Sequence, residues 1–161
     1  MAYEFFMTIK GYKGESQKEG HKDDIPCLRY EWSTVIPVDV NSGDYKGEPQ
    51  MQPLKIVKEI GAASPQLVQA ALHNEVIGEV IIQSMGRAPD GKKEVVKQKI
   101  TLKDVKIVSH RQYMDKSAKD SGGADVDVLE EVGFRFGEIQ IENPEAGTAT
   151  SWSWKTPNRT K

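Results

Sequence analysis

The chain has 161 residues, of which 37% are hydrophobic, with 22 Lys+Arg against 24 Asp+Glu and a formal net charge of -2. That length suits one domain with a proper core, and the hydrophobic content sets it apart from a disordered chain. The near-balanced charge gives no case for nucleic acid or an anionic membrane, and the single cysteine, Cys27, excludes an internal disulfide.

The chain opens on Tyr3-Glu4-Phe5-Phe6-Met7-Thr8-Ile9, without a basic start or a long apolar run. No secretory leader and no membrane-spanning segment are expected, and composition alone points to a soluble cytoplasmic protein. Tyr3, Phe5, Met7 and Ile9 alternate with polar residues, which predicts a half-buried strand. Phe6 breaks the alternation, so part of the second face should also be covered.

Next comes Gly11-Tyr12-Lys13-Gly14-Glu15-Ser16, leading to His21. Glycines suit a backbone that turns with positive φ or passes close to another segment. Glu15 and Ser16 can hold such a turn through local amides, and His21 can pin it. Gly11, Gly14, Glu15, Ser16 and His21 are therefore read as a structural turn.

A second strand is predicted over 25–36, with Leu28, Tyr30 and Trp32 toward the core and Arg29, Glu31 and Ser33 toward water. Cys27 sits in its apolar run and reads as a buried, inert thiol. Residues 37–50, with Asn41-Ser42-Gly43-Asp44 and Gly47-Glu48-Pro49, are long and polar for a hairpin loop. A third strand is expected over 51–60, with Leu54, Ile56 and Ile60 in phase.

The period then changes. Ser64-Pro65 predicts a helix start, serine capping the free amides and proline fitting the first turn. Leu67, Val68, Ala71 and Leu72 give one apolar stripe, ending near Asn74-Glu75. Strands resume over 80–85, 94–109, 128–141 and 150–154. The inward phase flips at Lys103-Asp104 and again at Gly137-Glu138, as β-bulges produce. Pro89-Asp90-Gly91 predicts a tight turn, Ser121-Gly122-Gly123 a mobile linker within 115–127, and 156–161 a frayed tail. About seven strands with one helix predict a mainly β, closed or nearly closed barrel.

Chemistry is hard to find. His21, His73 and His110 lack metal-ligand spacing. The Gly11–Ser16 stretch lacks the Gly-Lys-Ser/Thr ending of a phosphate loop. Glu130 and Glu131 are adjacent on a strand and point to opposite faces. The lysines Lys92, Lys93, Lys97, Lys99, Lys103 and Lys106 have no interleaved aromatics and read as a solvated face that could meet a partner protein. No cofactor, metal or catalytic residue is expected.

Several elements in order carry a family resemblance. They are Phe6-Met7-Thr8-Ile9-Lys10-Gly11, Gly14-Glu15-Ser16, His21, the strand from Ile25 to Trp32, and Ser64-Pro65-Gln66-Leu67 with Ala70. Ile100-Thr101-Leu102-Lys103-Asp104-Val105 and Glu131-Val132-Gly133-Phe134-Arg135-Phe136 complete the set. Together they resemble the haemolysin-coregulated protein (Hcp) family, the tube component of bacterial type VI secretion. Departures at Ile60-Gly61-Ala62-Ala63, at His73-Asn74-Glu75 and in the tail leave the subtype open.

The resemblance implies a β-barrel of two antiparallel sheets, similar to phage tail tubes, with one flanking α-helix over residues 1–161. It implies homo-hexameric rings that stack into a tube, with a spike protein (VgrG-like), a contractile sheath and effector proteins as partners. It implies a structural protein, not an enzyme, made in the bacterial cytoplasm and exported without a signal peptide. In the family the loop corresponding to 37–50 lies at the stacking surface. Asp39, Asn41, Asp44, Tyr45 and Lys46 are thus the candidate stacking residues, a polar set with one aromatic. Arg29 and Glu31 are the candidate cargo-facing residues of the ring lumen. A different class of reading is a monomeric β-sandwich module binding carbohydrate or peptide on Trp152 and Trp154.

Overall fold

The computed structural model describes residues 4–91, 93–115 and 127–153. The Ser121-Gly122-Gly123 linker, Lys92, Trp154 and the tail after it lie outside the described residues. Strand β1 (Glu4–Ile9) is followed by three short strands, β2 (Ile25–Cys27), β3 (Arg29–Glu31) and β4 (Thr34–Val35). Then come β5 (Gln50–Met51), β6 (Leu54–Glu59), helix α1 (Ser64–Leu72) and β7 (Ile77–Arg87). Last are β8 (Glu94–Asp115), β9 (Asp127–Arg135), β10 (Glu138–Asn143) and β11 (Thr148–Ser153).

The hydrogen-bonded path runs β2-β1-β7-β8-β9-β6-β3, all antiparallel, with β10 between β8 and β11. The first half of β8 pairs β7 and β10, and its second half pairs β9, so one 22-residue strand belongs to two sheets. It bends at Asp104, whose φ is 53°. This is the phase flip predicted at Lys103-Asp104, and the Gly137 amide bonds both the Lys103 and Asp104 carbonyls there. The flip near Gly137 is a strand break between β9 and β10 and not a bulge within one strand. Two further register shifts, between Ser84/Met85 and Ile107/Ser109, add curvature.

The ladder does not close, but its two ends, β2 and β3, are separated by one residue, Leu28. The Leu28 amide donates to the Val57 carbonyl at 2.8 Å, handing the chain from β1 to β6. This crossover breaks the single strand expected over 25–36. Ile25 and Cys27 are buried in odd phase, Tyr30 and Trp32 face inward in even phase, and Leu28 at the corner is 52% exposed. The Tyr30 hydroxyl then spans to the other sheet, meeting Ser84 Oγ at 3.2 Å and Gln98 Nε2 at 3.1 Å.

One apolar cluster fills the space between the sheets, with Met7, Leu54, Ile56, Leu67, Val80, Ile100, Leu102, Val132 and Phe134 fully buried. Each such side chain contributes about 1.5–3 kcal/mol of burial. Phe6 is buried on the opposite face of β1, stacked on the His21 ring at 4.4 Å between centroids. Helix α1 presents Ala63, Leu67 and Ala70 to the core, while Leu72 is 77% exposed, so the stripe is turned from the one expected. Ser64 does not cap it. Ala63 occupies the N-cap without a side-chain bond, and the Ser64 hydroxyl is engaged below the helix. Ile60, expected in the core, is half-exposed because the chain leaves β6 toward Gly61, and Lys58 takes the inward position.

Candidate functional site

The segment after β1 is a clamp. Gly11 has φ 88°, and a Cβ at Gly14 would overlap the Asp24 carbonyl, so only glycine lets these strands of backbone pass. The Gly14 amide donates to the Asp23 carbonyl at 2.8 Å and the Ser16 amide to the Asp24 carbonyl at 3.2 Å. Ser16 Oγ accepts the Lys18 amide, and His21 Nδ1 lies 3.2 Å from Asp24 Oδ2. Glu15 reaches outward: its carboxylate accepts the Ala62 amide just before α1, and Gln66 Nε2 returns to the Gly11 carbonyl at 3.2 Å. Through Glu15 and the Gly11 carbonyl the clamp is tied to the start of the helix.

Residues 33–52 form an arm. β4 pairs β5, Val38 bridges Tyr45, and the Asp39 amide donates to the Asp44 carbonyl at 2.7 Å. Asp39 also accepts the Asn41 amide and the Ser42 hydroxyl, so its side chain shapes the tip. Asn41, Asp44 and Lys46 are exposed. The arm is more apolar than the residues singled out from sequence suggest. Val40 is 94% and Tyr45 79% exposed, and Val35, Ile36 and Val38 are about half so.

Arg29 and Glu31 lie exposed on the outer face of β3. The register sets Arg29 beside Val57, Glu131 and Arg111, and Glu31 beside Lys55, Gly133 and Ser109. Gly133 keeps the face flat, since a Cβ there would overlap Ser109 Oγ. Arg29, Glu31, Lys55 and Glu131 line a cleft of about 190 Å³. Lys55 and Arg111 were not singled out from the sequence, although their odd phase in alternating strands is legible there.

Sequence reasoning also missed a buried polar junction. Lys58 and Glu130 share the inward phase of Leu54, Ile56, Val132 and Phe134, and are 1% and 0% exposed. Lys58 Nζ lies 3.0 Å from Glu130 Oε1 and donates to the Glu59 carbonyl and to Ser64 Oγ. Glu130 also accepts Ser64 Oγ at 3.0 Å, His110 Nε2 at 2.7 Å and Gln112 Nε2 at 3.2 Å. Burial alone would raise its pKa, but the bonds from His110 and Lys58 and the Lys58 charge hold it below the ordinary glutamate value. The signal was two charges at core phase on paired strands.

Trp152, one half of the alternative sugar platform, is partly buried and packs against the core. Among the described residues no cluster of three or more His, Cys, Asp or Glu is arranged to hold a metal, and no helix is long and apolar enough to cross a membrane. Burial pushes the Cys27 thiol up to about 12, despite the opposing charge of Lys58.

The chain matches the family model described as type VI secretion system effector, Hcp, over residues 6–142. It is 31% identical over 171 aligned positions to the major exported protein of Pseudomonas aeruginosa, covering 98% of each chain. It superposes on the crystal structure of an Hcp protein with a TM-score of 0.84 at 24% identity, covering 96% of this chain and 99% of that one. The secreted protein Hcp3 of Pseudomonas aeruginosa superposes with a TM-score of 0.71 at 24% identity, over 96% and 100% of the two chains. With a family model spanning most of its length and a full-length relative, this chain belongs to the Hcp family of type VI secretion system effectors.

Proposed function

We propose that the chain is the ring-forming subunit of a type VI secretion tube. Six copies close into a homo-hexamer, and rings stack through the arm of residues 33–52. A contractile sheath surrounds the tube and a VgrG-like spike tips it. The subunit assembles in the bacterial cytoplasm and leaves with the tube. Its role is structural and transporting, not catalytic. The outer face bearing Arg29 and Glu31 lines the channel and holds effector proteins.

The observation that carries this reading is the arm. A two-stranded hairpin projecting Val40 and Tyr45, with three more half-exposed apolar residues, has no cover among the described residues. Exposed apolar surface of this kind marks a protein contact, and a contact that must dissociate is small and partly polar. A ring whose neighbours meet through different patches gives such an arm a receptor on the next ring. The test is deletion of residues 40–47. Light scattering should still read hexamers, while negative-stain microscopy should show no end-to-end tubes. Tubes of wild-type length from the deleted protein would refute the stacking role, and monomers from the intact protein would refute the ring.

A further inference from the structure

One part of the outer face, the part that holds Arg29, differs in charge from the chain as a whole. Two rows cross β3, β6, β9 and the second half of β8, and a third joins β9 to β8 alone. They carry Arg29, Lys55, Arg111, Arg135 and Lys106, against only Glu31 and Glu131. Glu59 stands one row farther out, beside Leu129, and Asp115 and Asp127 occupy paired register positions in the row beyond that, so the cations are gathered at one end of the face. Arg111 is paired with Glu131 at 3.3 Å. Among the described residues, no carboxylate lies within ion-pair distance of Arg29, Lys55, Lys106 or Arg135. The chain carries a net charge of -2, and the positive excess is confined to these three rows.

We propose that this face binds acidic protein segments, so that the cargo held by the ring is an anionic protein. The proposal rests on the reading that this face lines the channel. There each copy repeats the excess around a low-dielectric wall, which focuses the field and favours anions over neutral or basic partners. A protein fits better than a nucleic acid. Glu31 and Glu131 interrupt the cations at the spacing of neighbouring strands, which opposes a continuous phosphate chain. Tyr113 carries the Arg111 guanidinium over one ring face at 4.2 Å, so that face is closed to a stacking base.

The test is fluorescence anisotropy with labelled polyglutamate of about twenty residues and oligothymidylate of similar length. The protein is wild type, Lys55→Glu/Arg135→Glu on this face, or Lys10→Glu/Lys103→Glu at exposed positions elsewhere. Polyglutamate should bind wild type more tightly than oligothymidylate, and more weakly as salt rises from about 0.05 to 0.3 M. The face variant should lose roughly tenfold in affinity, and the control less than about twofold. Equal losses in both variants, tighter binding of oligothymidylate, or no polyglutamate binding to intact rings would each overturn the proposal. Light scattering on the same samples reports the ring separately. If no rings form, the channel reading fails, while the anisotropy of the two variants still decides whether this face selects acidic chains.

Discussion

Removing either member of the Lys58–Glu130 pair should cost more than removing both. Glu130→Leu leaves the Lys58 ammonium at 1% exposure with only the Glu59 carbonyl and Ser64 Oγ beside it. Stranding a buried charge costs about 3–5 kcal/mol, a large share of the roughly 5–15 kcal/mol that holds a domain folded. Lys58→Met is milder, about 2–3 kcal/mol, because Glu130 keeps its hydrogen bonds to Ser64, Gln112 and His110. The double variant Lys58→Met/Glu130→Leu removes both charges and should fall within about 1–2 kcal/mol of wild type. Urea unfolding of all four proteins tests this, at a concentration where light scattering reads a single species so that assembly adds nothing. Single effects that add within about 0.5 kcal/mol would refute the coupling.

The same pair sets an acid limb. Glu130 is held below the ordinary glutamate value, so its stabilisation is complete above the unfolded value of roughly 4.3 and is lost as pH falls through the depressed folded value. Lys58→Met removes a hydrogen bond and a charge that lower the value and leaves the burial that raises it. Its acid-unfolding midpoint should therefore lie at higher pH than that of wild type, and an unchanged midpoint would contradict the assignment.

Gly14→Ala drives a Cβ into the Asp24 carbonyl and should cost about 2–4 kcal/mol, with hydrogen-exchange protection falling at the start of α1, where Glu15 holds Ala62. Wild-type protection in that variant would show that the clamp does not position the helix. Cys27, its thiol pushed up to about 12 by burial, should resist Ellman's reagent at about pH 8 until urea unfolds the protein. Fast stoichiometric labelling of the folded form would contradict its burial.

Legibility followed the physical range of each signal. The alternation of Met7 and Ile9 with Thr8, and of Val132 and Phe134 with Glu131, is a local consequence of pleating, and both patterns form strands, although the one expected over 128–141 ends at Arg135 and resumes at Glu138. The flip at Lys103-Asp104 was legible because Asp104 adopts positive φ within one continuous strand. The break at Leu28 was not, since it depends on a change of partner from β1 to β6 that no local pattern carries. Ser64 was misread because Ser-Pro is a strong capping signal. A carboxylate from β9, 66 positions away, takes the hydroxyl instead. On the outer face, Arg29 and Glu31 were visible as an alternating pair. Their neighbours Lys55, Glu131 and Arg111 come from three other strand segments whose pairing order the sequence does not display.

The junction under α1 also explains why a chain keeps two charges where apolar residues would serve stability as well. The helix has nine residues, too few to be stable alone, and it meets the core through Leu67 and two alanines. Small apolar contacts of that kind distinguish poorly between one helical turn and the next. Directional bonds do distinguish them. Ser64 Oγ donates to Glu130, accepts from Lys58 and accepts the Gly61 amide, while Glu15 and Gln66 tie the same turn to the clamp after β1. Satisfied polar networks of this sort fix one arrangement at little net gain in stability. The arrangement fixed here holds α1 over the junction and sets Leu72 outward, so the buried charges determine which helix surface the protein shows to its surroundings.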